Sequence, residues 1–279
     1  MIGAIRSELR KVLSTRLWWG LLIAIAALSF LLSWATAALF QSTLLTDTEG
    51  NSVAIPWSDY LAITSYHGGV SLIGLTLLLP LALGIVLITA EFRHKTMSWT
   101  VLATPRRRQV YASKVVVSVI FGALYGVVHI IAGVGGASLT LIPKDLPFFL
   151  GSADVWISFA SLVLAMVLWT LLGLGFGLLL RAQMAAVTIG IGVAFLAQIV
   201  LNPILAWREW ALAYKLLPGN LSLNMLTVAD LPDGAPGDTT QTAAQYAFDQ
   251  WWVAALVLLG YAAVMTVVGA WLDSRRDIS

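Results

Sequence analysis

Residues able to do chemistry are few in this chain, and most of them gather in one short stretch. Residues 91–114 read EFRHKTMSWTVLATPRRRQVYASK, a polar island between two long apolar runs. Glu91, Arg93, His94 and Lys95 stand at one end, and Arg106, Arg107, Arg108 and Lys114 at the other. Between them, residues 96–103 are long enough for two turns of helix and carry Thr96, Met97, Trp99, Val101 and Leu102. A half-apolar helix between charged ends suits docking at a membrane surface, with Trp99 at home in the interface. Retention of basic residues beside a membrane explains many of the arginines, but not the apolar helix they enclose.

Elsewhere the chemical repertoire is thin. An ionisable residue inside a membrane span is a functional candidate by default, and His129 is the only one placed deep in an apolar run. It is positioned either to line a pathway or relay protons, or to pack as a hydrogen-bonded histidine. Gln198 and Asn202, in another run, either line a cavity or bond a neighbouring helix. His67, His94 and His129 fall in different elements and there is no cysteine, so no metal site is expected. Ser71, in GGVSLIG, together with His129 is the nearest imitation of a membrane serine protease, but the surrounding motif is missing. No GxxxxGK[ST] is present, so ATP hydrolysis by a P-loop is not expected of this chain. The charges a proton- or sodium-coupled carrier keeps inside its spans are also missing.

The elements that hold these residues follow from composition. Of 279 residues, 59% are hydrophobic and 11% charged, with mean hydropathy +0.88; soluble domains carry about 25% charged residues. Uninterrupted apolar runs, without the alternation of barrel strands, predict an all-α integral membrane protein with six transmembrane helices. The spans fall at residues 17–40, 70–90, 115–142, 155–180, 184–205 and 251–272, within one transmembrane domain. Pro80 is placed to kink the second span. Of the 16 Lys and Arg residues, 13 fall on one side of these spans and 3 on the other, which predicts N-in, C-in. The basic balance is thus assigned to the membrane and not to nucleic acid.

Residues 1–16 precede the first span. Ile2, Ile5, Leu9 and Val12 recur at helical spacing, with Arg6, Arg10 and Lys11 on another face, which predicts an interfacial helix against membrane lipids, broken at Ser14-Thr15. The outer segments 41–69 and 206–250 are long. The latter is rich in turn chemistry and is a candidate for short re-entrant helices around Trp207, Trp210 and Leu212.

Layout and loop together resemble the permease subunit of an ABC transporter of the ABC-2 (type V) class, the small bacterial six-span exporters. The residues that carry the resemblance are Glu91-Phe92-Arg93-His94-Lys95-Thr96 after the second span, then Leu102-Ala103-Thr104-Pro105-Arg106, and Lys114 opening the third. The resemblance implies a short cytoplasmic coupling helix between spans two and three that fits a groove in a separate ATPase subunit. Glu91, Arg93, Thr96, Met97, Trp99, Val101, Leu102 and Arg106 to Arg108 would make that contact, and Glu91 would bond within the loop or to the interfacial helix. It further implies a bacterial plasma membrane, and a second permease copy or paralogue completing a dimer. ATP and Mg would bind in the partner ATPase, with no cofactor bound by this chain. An export path for a drug, antimicrobial peptide or lipid-like substrate would be lined by Leu72, Leu79, Leu83, His129, Phe195, Gln198 and Asn202. Two other readings stay open: an intramembrane enzyme dependent on His129 or Ser71, and a non-transporting scaffold or sensor subunit.

Overall fold

A computed structural model describes residues 2–40, 43–46, 49–71, 74–94, 96, 107–229 and 245–275. It contains six helices long and apolar enough to cross a membrane by length and composition. Helix α1 (Ile2–Leu13) ends where Ser14 and Thr15 turn their hydroxyls back onto the carbonyls of Lys11 and Val12, each at 2.8 Å. Its apolar stripe does more than lie on lipid. Val12 is buried among Ile25, Leu83, Val117, Phe121 and Tyr125, and Ile5 and Leu9 pack beside it.

Helix α2 (Leu17–Phe40) is turned inside out relative to a soluble helix. Its buried positions are Ile25, Ser29, Ser33, Thr36 and Ala37, whereas Ile23, Phe30, Leu31 and Leu39 face outward. With lipid as solvent the apolar side chains have no reason to turn inward, and small residues let helices approach. The segment after it, read from sequence as a loop, holds a two-stranded hairpin, β1 (Thr43–Thr46) and β2 (Ser52–Ile55), paired antiparallel, so the chain is helical but not strictly all-α. Helices α3 (Asp59–Tyr66) and α4 (Gly68–Ser71) follow. Leu61, Ala62, Ile63, Ser65 and Tyr66 are buried, so α3 is part of the bundle's interior.

The second span departs from expectation at its start. A left-handed Gly74 (φ 60°) and a 3₁₀ turn at Leu75–Leu77 precede α5 (Leu78–Arg93). Pro80 therefore lies in the first turn of α5, where its missing N–H is one that no helix uses, and it does not kink the span.

Helix α6 (Arg107–Leu141) has 35 residues, about 52 Å at 1.5 Å per residue. That is longer than the ~30 Å hydrocarbon core, so α6 extends beyond the span predicted at 115–142. Helix α7 (Ala153–Leu180) is central; Ser152 caps its start and a left-handed Arg181 (φ 55°) ends it. The short link at Arg181 and Ala182 folds α8 (Gln183–Leu196) back beside α7, as the length of that link required. A π-helical turn at Ala197–Leu201 leads into α9 (Asn202–Trp207).

The segment after α9 contains α10 (Ala211–Lys215) and α11 (Pro218–Leu226), and α12 (Trp251–Arg275) follows. Helix α11 packs against α7 and α12, with Trp169 Nε1 donating to Ser222 Oγ at 2.7 Å. Trp207, Trp210 and Leu212 are exposed.

The main core runs through α5, α7, α11 and α12. Glycines set its tightest seams: a Cβ on Gly84 would lie 1.9 Å from the Thr170 carbonyl oxygen, and one on Gly173 2.1 Å from that of Leu81. The fifth apolar run is different. Only 11% of the most apolar stretch of Gln183–Trp207 is buried, against 72% for α7.

Candidate functional site: a charged clasp at the base of residues 91–114

The five ion pairs between described residues all lie at the end of the bundle where α1 sits, where α5 and α7 finish and where α6 begins. The larger cluster joins four residues from three helices. Lys114 of α6 is 1% exposed, and an ammonium there is tolerable only with partners for all three of its protons. Glu8 Oε2 lies at 2.7 Å, Glu91 Oε1 at 3.0 Å, and the Leu87 carbonyl at 3.5 Å. Lys11 closes the ring from the solvent side, donating to Glu8 Oε1 and Glu91 Oε1, both at 2.6 Å. Two carboxylates face two ammonium groups, so the cluster is neutral as a unit.

Its effect is positional. Glu91 is the last buried residue of α5, and Lys114 lies two turns inside α6, so both flanks of residues 95–106 are tied to α1. Burial works to lower the Lys11 pKa, but hydrogen bonds and charge from Glu8 and Glu91 outweigh it, and the net shift is upward from 10.5. A raised pKa in a cation means that its contribution to the folded state is complete below 10.5 and is lost as pH rises through the folded value. Protease access to α1 is therefore expected to increase above about pH 10.5 and not between pH 6 and 9. Lys11 is 41% exposed on its side chain, so solvent keeps the effect modest. Digestion that is flat through pH 11 would count against this anchor.

A second cluster ties the same end together on the other side. Asp273 of α12 accepts short hydrogen bonds from Tyr111 of α6 and from Arg181 at the end of α7. The Arg181 guanidinium also lies over the Phe92 ring, 5.2 Å from its centre. The two clusters thus fasten α1 to α5 and α6, and α12 to α6 and the end of α7.

The other residues singled out from sequence are placed as follows. Arg93 and Thr96 are exposed; Arg93 Nη1 donates to Gln183 Oε1 at 3.3 Å, and the Thr96 N–H closes onto the Glu91 carbonyl at 3.0 Å. Arg108 is exposed on the first turn of α6, and Arg107 opens that helix. Met97, Trp99, Val101, Leu102 and Arg106, and with them all of the expected helix at 96–103 beyond Thr96, lie outside the described residues, as does Leu72.

The path residues do not converge on one surface. Leu79 and Leu83 pack toward α1, α2 and α6. Phe195 packs on the α7–α12 core. Gln198 and Asn202 are joined at 2.8 Å, and Asn202 exchanges two hydrogen bonds with Asn220 of α11 at 2.6 and 3.0 Å.

His129 has a companion that the sequence reading put in an outer loop. His67, which follows α3, is buried with its ring centre 6.4 Å from that of His129, and its Nε2 is 2.5 Å from Ser158 Oγ of α7. A serine beside an imidazole is the nucleophile–base pairing of a hydrolase. Among the described residues, His67 Nδ1 and both ring nitrogens of His129 have no hydrogen-bond partner, so no carboxylate among them orients either ring. Ser71, at the end of α4, belongs to a different element from this pair. Among the described residues, no group of three His, Asp or Glu could hold a metal.

What the geometry offers is a clasp that joins α1, α5 and α6. No protein-family model matches the chain, and no curated protein matches it. The functional reading therefore stands on this clasp and on the sequence it frames.

Glu8 and Asp273 went unnoticed from sequence. Glu8 had a signal: it is the only acid before Asp47, and it sits on an otherwise basic amphipathic helix. Asp273 had none, because only folding brings it to Tyr111 and Arg181.

Proposed function

We propose that this chain is the non-catalytic permease subunit of an ATP-driven exporter of the ABC-2 class, in the plasma membrane of a bacterium. The observation that carries the reading is the double tie from α1 to Glu91 and Lys114. A loop that merely reversed the chain would need no buried ion cluster at its base, whereas a loop that receives a push must be fastened to what it moves. Residues 96–103 would fit a groove on a separate ATPase subunit, which binds ATP and Mg. Closure of an ATPase dimer would reach α1 and α5 through Glu91. Two permease chains would enclose the path, and an amphipathic or hydrophobic cargo suits walls so poor in charge.

Co-purification tests this directly. A tagged chain is expected to bring down a P-loop ATPase whose activity in membranes falls several-fold on Glu91→Ala. Leu102→Glu, which alters the proposed contact and leaves the ion cluster alone, is expected to lower both capture and activity. Capture of no ATPase, or unchanged activity in both variants, would sink the proposal.

A further inference from the structure

Between α1 and α5 lies a cavity of about 260 Å³. Its apolar wall is made by Leu83, Val86 and Leu87 of α5, faced by Val12 and Leu17. Glu8, Lys11, Glu91 and His94 line it as well. An apolar wall beside a charged cluster is the complement of an amphiphile, and three observations narrow which amphiphile.

The first is size. Drug-sized sites run from about 300 to 1,000 Å³, so 260 Å³ accommodates one alkyl chain and not the two of a phospholipid. The second is the state of Glu91. Its Oε1 takes both ammonium groups of the clasp, whereas Oε2 has no hydrogen-bond partner among the described residues, although Glu91 is only 5% exposed. A buried charged acceptor without a donor is costly, and a ligand that supplies the donor recovers that cost. The third is the sign of what surrounds that oxygen. Lys114 and Lys11 are already committed to Glu8 and to Glu91 Oε1, so a ligand carboxylate would meet two carboxylates whose counter-ions are taken.

We infer that this cavity binds a single-chain amphiphile with a hydrogen-bond-donating head, an ammonium or a hydroxyl, its chain beside Leu83, Val86 and Leu87 and its head on Glu91 Oε2. The inference rests on the proposed function only in making such an amphiphile the cargo class; binding itself requires no ATPase. The head would sit on the same carboxylate that ties α1 to α5, so an occupied cavity would load the clasp directly.

The test uses the full chain in phosphatidylcholine nanodiscs with three photoreactive probes of equal chain length: decylamine, decanol and decanoate, each with a diazirine at the chain end. The amine and the alcohol are expected to label α5 near Leu83 and Leu87 saturably, with unlabelled decylamine competing and decanoate labelling far less. Leu87→Trp fills the apolar compartment and is expected to cut labelling about tenfold, since a packed site does not admit extra volume. Val86→Phe serves as a second filling variant should Leu87→Trp fail to fold, as read by its thermal midpoint.

Labelling spread evenly over the lipid-facing helices, insensitive to both filling variants, or as strong with decanoate, would overturn the inference. That failure beside successful capture of an ATPase leaves the permease reading standing. Saturable labelling without any captured ATPase removes the permease reading and keeps the site.

Discussion

Lys114→Met is expected to destabilise the chain by about 3–5 kcal/mol, the cost of removing one partner from a buried ion cluster. Methionine matches the lysine stem in length, so little packing is lost, and the penalty comes from the two carboxylates left behind. Glu8 Oε2 loses its 2.7 Å partner, and Glu91 Oε1 keeps only Lys11. The thermal midpoint of the purified protein should fall, and α1 should become sensitive to protease. Adding Glu8→Gln to Lys114→Met should restore part of the midpoint, because a set with fewer unpaired buried charges costs less to bury. A single variant with unchanged midpoint and unchanged digestion would mean that the cluster does not hold α1 in place.

Gly84→Leu is expected to be the most damaging substitution in the spans. The obstacle at Gly84 is the main-chain oxygen of Thr170, 1.9 Å from where a Cβ would stand, and at Gly173 it is that of Leu81. Neither can swing aside as a side-chain tip would, so α5 and α7 must part along their seam. Overpacking of this kind costs about 1–3 kcal/mol and occasionally more, and a backbone obstacle belongs at the upper end. Gly192→Leu is the matched control, because nothing lies within 4 Å of its Cβ position. Thermal unfolding of both variants in one detergent decides the matter, and equal midpoints would show that the α5–α7 seam is not close-fitting.

The apolar runs were legible because lipid demands length and hydrophobicity from every crossing helix, whatever its neighbours. Helices α2, α7 and α12 accordingly lie within a few residues of the stretches read from sequence. Legibility failed where a local backbone choice competes with a long apolar run. The run from Val70 onward reads as continuous, but Gly74 adopts a left-handed conformation that ends one helix before the next begins. It failed again for His67, whose polar neighbours suggested a loop; α3 is buried on most of its surface, and a helix buried all round has no polar face for a pattern to reveal.

For the site, Glu91 and the interfacial helix were linked in expectation, and the 2.6 Å contact to Lys11 places them together. In the sequence Lys114 reads as a basic residue beside the membrane that opens the third span; in the fold it is the buried centre of the cluster. Charge counting along a sequence records sign, but not which cation will be taken out of water.

The contrast between the glycine-seated core and the fifth run has a mechanical meaning. Helices α5, α7 and α12, fitted backbone to backbone or nearly so, behave as one stiff member. The run Gln183–Trp207 is compliant: it meets that member chiefly through side chains and is interrupted by a π-helical turn. Force delivered at the clasp would pass along the stiff member with little loss and would be spent as strain where compliance is greatest. The hydrogen-bonded amides of Gln198, Asn202 and Asn220 lie at that soft point, fastening the compliant run to α11 on the far side of the bundle. On the proposed function, displacement would be largest at the end remote from the push, and those three amides would resist it.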